Sequence, residues 1–451
     1  MNNSLLHRRR LLVVFCLWIA ASLPAYGQLN TVFSDIFNEI LGPRLSLSPG
    51  FHSNHFKPAA EQANAELVPA LNSLITGNIS SFPLSSTSAG VLFDFSSGEP
   101  VRVTESLGPI LAETGKTLGK GKFLAGANFT YLNLSRLRGL STDQMQFTFT
   151  HQLVQKDTAL GQNPNESDLI DVVMDLHTRV SIGAIFATIG VTNDLDLSVA
   201  IPIISVHLNG TAAATIGSYT FAEGGGTAHH FYGGDSSKPV LVTTLPYDES
   251  ATGLGDVALR VKYNLARGGS VDVASLLDIR FPTGKEEDFR GSGKPTYRLW
   301  AILSSRMGDV TPHLNVGYTR KPAELQSDAL EFRVGFDNKL SSKLTFALDI
   351  LGQIDLNKSE AIHLAPGTAT IIDKIEPGRI VAPPGVVPQS IRVVNLSNIP
   401  DRTNDNTYAA AIGFRYAPSD PVIVFGNILI PLNDGGLRAQ IAPTIGISVS
   451  L

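Results

Sequence analysis

Residues 253–282 read GLGDVALRVKYNLARGGSVDVASLLDIRFP, and this stretch decides the fold. Val257, Leu259, Val261 and Tyr263 alternate with Ala258, Arg260, Lys262 and Asn264. After Arg267-Gly268-Gly269, Val271, Val273, Leu277 and Ile279 alternate with Asp272, Ala274, Asp278 and Arg280. Successive side chains on a strand point to opposite faces, so each arm carries one apolar row and one charged or small row. Two such arms on a glycine-rich turn make a long hairpin. The pattern recurs along most of the chain, which reads as all-β: a transmembrane antiparallel β-barrel of roughly 12–14 strands.

The N-terminus agrees with that reading. Residues 1–27 have the layout of a secretory signal peptide: Arg8-Arg9-Arg10, the apolar run LLVVFCLWIAASL, then Ala25-Tyr26-Gly27 as a cleavage site. Cys16, the one cysteine, lies inside this segment, so the exported chain has no disulfide, zinc-thiolate or cysteine chemistry. Loss of the three arginines moves the formal charge from -5 to -8. That mild acidity argues against nucleic acid, which calls for a basic stripe. The most apolar later run, VSIGAIFATIGV between Arg179 and Asn193, has about half the length of a spanning helix.

Residues 28–84 read as a helical plug or cap and residues 85–451 as the barrel. In the first segment, Val32, Phe33, Ile36, Phe37, Ile40 and Leu41 have helical spacing, and Leu67, Leu71 and Leu74 share a face. Pro58 and Gly77 mark the expected ends of the second helix. A first arm is expected at Val91, Phe93 and Phe95, with strands following near 145–153, 169–191, 195–207 and beyond the organising hairpin. Short connections at Thr192-Asn193-Asp194, Arg267-Gly268-Gly269, Gly308-Asp309, Leu340-Ser341-Ser342 and Pro418-Ser419-Asp420 alternate with long ones, notably 209–252 and 357–407. Short turns on the periplasmic side and long loops outside are the outer-membrane pattern. Asn433-Asp434-Gly435-Gly436 is short although it falls on the outer side. In the last strand Ala439, Ile441, Pro443, Ile445, Ile447, Val449 and Leu451 form one row.

The motifs of enzymes are poorly matched. Gly115-Lys116-Thr117 resembles the end of a phosphate loop, but Ile110 stands where its first glycine belongs. His52-x-x-His55 and His229-His230 lack a third ligand at diagnostic spacing and read as solvated loop histidines, so no metal and no cofactor is expected. No G-x-S-x-G elbow supports a hydrolase, and no catalytic residue is assigned. The informative polar residues share the inward phase. Asp256, Arg260, Lys262, Asp278 and Arg280 do so on the organising hairpin. Arg298, Glu331, Arg333, Asp349 and Arg415, with His313 and Asp337, do so on later strands. A charge is costly against lipid, so this phase faces the lumen, where the residues pair across the wall or line a path.

SFPLSSTSAGVLFDF, SLGPILAETGKTLGKGKF and GVTNDLDLSVAIPI resemble bacterial outer-membrane transporters linked to phenol-degradation pathways. That family is distantly similar to long-chain fatty-acid and aromatic-hydrocarbon channels. The resemblance runs from about Ala60 to the C-terminus and is most specific at Gly108-Pro109, Gly119-Lys120-Gly121-Lys122 and Asn193-Asp194-Leu195-Asp196. It implies a plugged barrel of roughly fourteen strands that passes hydrophobic molecules, often through a lateral opening at a strand kink. Pro202, Pro282 and Pro312 are the candidate positions for such an interruption. The expected function is passive uptake of small hydrophobic or aromatic compounds by a monomer in outer-membrane lipid, inserted by the barrel-assembly machinery. The alternatives are a general porin, or a structural or adhesive barrel whose long external loops bind a partner.

Overall fold

The computed structural model describes residues 28–46, 55–83, 93–94, 101–102, 106–153, 159–161, 166–217, 229–235, 238–266, 270–321, 327–356, 362–365, 367–374, 389–402, 404–419 and 421–450. The expected signal peptide, His52, Val91, the expected 267–269 turn and Leu451 lie outside these residues. The main strands in chain order are β1 (Phe123–Leu137), β2 (Met145–Thr150), β3 (Leu169–Gly190), β4 (Leu195–Gly217), β5 (Val242–Leu254), β6 (Val257–Ala266) and β7 (Val271–Phe281). They continue as β8 (Thr296–Ser305), β9 (Val310–Arg320), β10 (Ala329–Lys339), β11 (Leu344–Asp355), β12 (Thr407–Ser419), β13 (Val422–Pro431) and β14 (Ala442–Ser450).

The wall runs β3-β4-β6-β7-β8-β9-β10-β11-β12-β13-β14-β1 and closes where β1 meets β3, every pair antiparallel. That is a closed twelve-stranded barrel, two strands fewer than the resemblance implied. Two expected strands are not in the wall. Among the described residues Phe93–Asp94 pairs with Val101–Arg102, and β2 pairs with the outer half of β3 and bridges Ser397 through Phe147.

Large apolar side chains cover the outside of the wall: Phe129, Ile185, Ile201, Leu259, Leu277, Leu299, Val316, Val334, Ile412, Ile428 and Ile445 are exposed, and on β11 Phe346, Leu348 and Ile350 are half-buried. Tyr131, Phe281, Tyr297 and Tyr318 stand near one rim, with Phe123, Tyr263 and Tyr416 near the other. An apolar belt between aromatic girdles is the surface a bilayer selects. Leu299, 56% exposed on β8, sits in this belt. Leu299→Arg is expected to cost about 2–4 kcal/mol of stability in lipid vesicles. Urea titration followed by tryptophan fluorescence measures it, and an unchanged midpoint would put Leu299 outside the hydrocarbon.

β3 has 22 residues and β4 has 23, against 10 for β8. At about 3.3 Å per residue the two long strands overshoot the roughly 25 Å belt. Their outward row changes character accordingly: beyond Ser181 it carries Arg179, His177 and Asp175. His207 on β4 bonds Asp248 on β5 at 2.6 Å. Such groups belong in water. The β2-β3-β4-β5 sheet therefore projects outside the membrane on the side opposite the short turns. β5 was expected to be loop. Among the described residues it pairs with β4 alone; Leu245, Tyr247 and Ala251 pack on the helical core, and Thr244, Asp248 and Ser250 are exposed. Pro246 is tolerated at this free edge.

The inner face of the extension holds the N-terminal helices: α1 (Val32–Leu41), α2 (Lys57–Gln62) and α3 (Val68–Ser81). Phe33, Phe37 and Ile40 are fully buried and share one core with Phe147, Val172, Leu176, Val206 and Leu208. Phe37 meets Phe147 and Phe149 edge-on at 6.0 and 5.5 Å, contacts that add about 0.5–1.5 kcal/mol each beyond area burial. A π-turn, Ala63–Leu67, joins α2 to α3. Pro69 explains it, because Pro69 has no N–H for the carbonyl four residues back. α3 runs through Gly77, its expected end, to Ser81. Phe82 precedes Pro83, which disfavours helical backbone, and it takes φ -53°, ψ 130°.

Two further features differ from expectation. Ala439 belongs to a short piece, Leu437–Ala439, and is buried, whereas Ile441, Pro443 and Ile445 face outward. The side-chain phase therefore slips at Gln440, and Ala439 does not share the lipid-facing row. The 357–407 connection contains a hairpin, Thr368–Lys374 with Gln389–Asn395. It is held to the barrel rim by Arg138, which is fully buried, pairs with Asp405 at 2.9 Å and donates to the carbonyls of Ile362 and Pro400.

Candidate functional site

The lumen is not an open tube among the described residues. Residues 106–121 run inside the barrel near its short-turn end. The Ser106 hydroxyl bonds Asp337 on β10, and the Leu107 N–H donates to Thr345 Oγ1 on β11 at 3.0 Å. Asp349 Oδ2, also on β11, accepts from the N–H groups of Leu111 and Ala112 at 3.0 and 3.1 Å. Asn315 on β9 clasps Glu113 from both sides, accepting from its N–H at 2.7 Å and donating to its carbonyl at 2.9 Å. The Gly115 N–H donates to Ser304 on β8, and Asn264 on β6 donates to the Gly115 carbonyl. The Leu118 N–H then meets both oxygens of Asp196 on β4.

A backbone without a regular ladder must find partners for its buried amides. Here the inward polar row of the wall supplies them, one strand after another. Leu107, Ile110, Leu111, Ala112, Glu113, Thr114 and Leu118 are all buried, so the lumen at this level is packed rather than water-filled. Gly115 is required by contact: a Cβ there would lie 2.7 Å from the Asp272 backbone on β7.

Arg260, Lys262, Asp278, Arg280, Arg298, Glu331 and Arg333 come together as one inner ladder. Arg260 bonds Asp278 at 3.1 Å, and Asp278 also faces Arg280 at 4.0 Å. Arg298 pairs with Glu331 at 3.7 Å. Glu113, from the internal segment, lies 3.9 Å from Arg260 and 3.6 Å from Lys262. Arg333 stacks its guanidinium 4.5 Å over the Trp300 ring and donates to the Leu111 carbonyl. Asp349 holds the internal segment and accepts from His313 at 2.6 Å, while Asp337 stands 3.6 Å from the other side of His313. Two residues stand apart. Arg415 lies over the Phe425 ring at 5.4 Å. Asp256 binds Ser292 through its N–H and hydroxyl, both at 2.8 Å, and so fixes the 283–296 loop.

Glu113, Asn315 and Asp196 join the residues expected in the lumen. Asn315 and Asp196 carry the inward phase and were legible to that extent. Glu113 sits in irregular backbone, and its one signal was its place in the SLGPILAETGKTLGKGKF stretch.

Above the internal segment lies a cavity of about 240 Å³. Leu74 on α3, Leu132 and Leu134 on β1, Leu429 on β13 and Leu437 give it an apolar wall. Glu331, Arg333, Gln353 and Asp355 face them across it, with Ile362 and Asp405 from the 357–407 loop at the rim. Arg280 and Arg298 donate to the carbonyls of Ser80, Phe82 and Ser81 and so hold the end of α3 against this space. Phe82 also lines a smaller pocket with Pro202 and Asp256. There the wall is irregular: Leu254 pairs with Ile203 and Ala258 with Ala200, leaving three residues opposite two, one of them Pro202. That is a bulge in the wall.

The histidines behave unlike solvated loop residues. His55 and His229 are buried beside a third, His151, in the extension outside the membrane. His230 turns away to the Phe231 carbonyl. Burial lowers the His151 pKa to about 4, against a smaller upward effect of the Gln152 carbonyl, so its imidazole is neutral.

Fold and lumen together define an internally plugged transmembrane β-barrel with a cavity on its outer side. Residues 142–353 match the family described as "Putative MetA-pathway of phenol degradation", the family the sequence resembles. No curated protein matches the chain. Among solved structures, an outer membrane channel from Pseudomonas putida F1 is similar at 8% identity and TM-score 0.39, over 74% of this chain and 97% of that one. A Pseudomonas aeruginosa FadL homologue is similar at 8% identity and TM-score 0.28, over 73% and 89%. The Ralstonia pickettii toluene transporter TbuX is similar at 8% identity and TM-score 0.25, over 73% and 90%.

Proposed function

We propose that this protein is an outer-membrane channel for passive inward movement of small aromatic compounds bearing a polar group, phenols in the first place. The observation that carries the reading is the cavity above the packed internal segment, with leucines on one side and Arg333, Glu331 and Gln353 on the other. An apolar cavity of about 150 Å³ accommodates benzene. A space of about 240 Å³ with one polar wall suits a single ring with a hydroxyl or carboxyl substituent. The family match over residues 142–353 supports the same solute class.

The route would begin under the 357–407 loop, enter this cavity and pass Phe82 to the bulge at Pro202. Arg333 is the proposed sensor. It faces the cavity and also holds the Leu111 carbonyl, so a solute oxygen that attracts its guanidinium competes with the internal segment. Chemistry on the solute is not part of the proposal, and the working unit is a monomer in outer-membrane lipid. A general porin would need a water-filled path through the level of Leu111 and Glu113, which is packed.

Uptake of labelled phenol by cells with and without the barrel tests this. The expected result is faster uptake with the barrel, no matching gain for a sugar of similar mass, and negligible ion conductance in planar bilayers. Steady conductance with indiscriminate flux would overturn it in favour of a porin. Arg333→Met is expected to lower the phenol rate about tenfold or more, the effect of losing one charged hydrogen bond of about 1.5–3 kcal/mol. A rate unchanged by this substitution would remove Arg333 from the path.

A further inference from the structure

We propose that His55, His151 and His229 form a binding site for a divalent transition metal, zinc first, which clamps the helical segment to the external sheet. His55 lies two residues before α2, His151 follows β2, and His229 precedes a short strand that pairs with Leu45–Ser46 next to α1. Three separate parts of the external half therefore meet at one point. One ligand nitrogen from each ring lies within 4.8 Å of the other two, and all three residues are buried.

The hydrogen bonds fix which nitrogens face inward. Asp168 Oδ2 accepts from His229 Nδ1 at 2.7 Å, and a carboxylate can only accept. The Gln152 carbonyl accepts from His151 Nδ1 at 2.5 Å. Both rings therefore carry their proton on Nδ1 and present a lone pair at Nε2 to His55 Nδ1. One proton on His55 would have to serve two acceptors. A single cation satisfies all three nitrogens.

The outer partners match what metal-bound imidazoles need: a carboxylate behind one ring and a backbone carbonyl behind another, which set tautomer and orientation. Neutral imidazole nitrogens in threes suit zinc and its neighbours, whereas magnesium and calcium prefer oxygen. Phe56 packs edge-on against His151 and His229 at 5.5 and 5.4 Å and excludes water from one side. A metal held here ties α2 to β2 across 96 residues of chain and to the 229–231 strand across 174.

The test uses the full-length protein, purified without a histidine tag from outer membranes in detergent, and titrated with Co²⁺ and Zn²⁺. One equivalent of Co²⁺ should bind, with visible ligand-field bands, and Zn²⁺ should displace it. His151→Ala and His229→Ala should each abolish the bands. Asp168→Asn should weaken binding about 10–100-fold while keeping the stoichiometry. Heat-modifiable gel mobility shows that each variant keeps its barrel, so lost binding is not lost folding. Zn²⁺ should also protect the 28–83 segment from protease in the parent and not in His151→Ala. Parent protein that binds Co²⁺ no better than His151→Ala would overturn the site, leaving a proton-sharing histidine cluster. Binding without added protection would overturn the clamp.

Discussion

Asp349→Ala is expected to turn a silent barrel into one that conducts ions in bursts. Asp349 accepts two backbone N–H groups of the internal segment and the His313 imidazole, all in a buried setting. Truncation leaves three donors without that acceptor, and breaking a buried charged cluster costs about 3–5 kcal/mol. At about 1.4 kcal/mol per factor of ten, the docked state loses about two to three and a half orders of magnitude in population relative to the released one. The barrel itself should survive, because its ladders are complete without the segment and the change removes no backbone hydrogen bond of the wall. Planar-bilayer recording on heat-modifiable protein reads the outcome. Asp349→Asn, which keeps one acceptor oxygen, should give a smaller effect. If Asp349→Ala folds and stays as silent as the parent, residues 106–121 are not what closes the lumen.

Most of the wall was legible in the sequence. Outward leucines and aromatics with inward charges recur with period two from β6 to β13, and turn lengths told which end is which. What the sequence hid is whatever lacks a period. The internal segment has no alternation, because its partners are wall side chains met one at a time. Its Ser106, Glu113 and Gly115 are ordinary loop residues until Asp337, Lys262 and Asp272 are brought beside them. β5 was hidden for a related reason, since Pro246 and Glu249 interrupt its short row of Leu245, Tyr247 and Ala251. β2 misled in the opposite sense. Its strand pattern was right, but Phe147 and Phe149 pack on Phe37 rather than on lipid, so it extends the sheet without widening the barrel. The histidine cluster was beyond reach, because its members come from three segments that only the folded extension joins.

The inward charges show how far residue type alone can go. Phase placed them on the inner face, but not whether they pair with each other, with the segment, or with solute. Arg260 and Asp278 pair along the wall, as directly cross-strand residues on β6 and β7 do. Lys262 stands opposite Leu276 on β7 and opposite Asp196 on β4. The internal segment brings Glu113 to 3.6 Å from the Lys262 ammonium and also holds Asp196 through the Leu118 N–H, so the charge balance around Lys262 depends on the segment.

That dependence leads to the second large effect. Glu113→Ala is expected to destabilise the docked segment by about 3–5 kcal/mol, because Lys262 and Arg260 then share a buried site without the carboxylate between them. The variant should leak ions like Asp349→Ala, but with preference for anions, since the freed inner surface is basic. The cause can be separated from simple loss of packing. Pairing Glu113→Leu with Lys262→Met removes both charges and fills similar volume, and buried ion pairs replaced by apolar groups are often as stable as before. The double variant should therefore be silent again, whereas Glu113→Leu alone should leak. Conductance and reversal potential of the three variants under a salt gradient decide between the two accounts. A double variant that leaks as much as Glu113→Leu would mean that Glu113 acts through its shape in the segment and not through its charge.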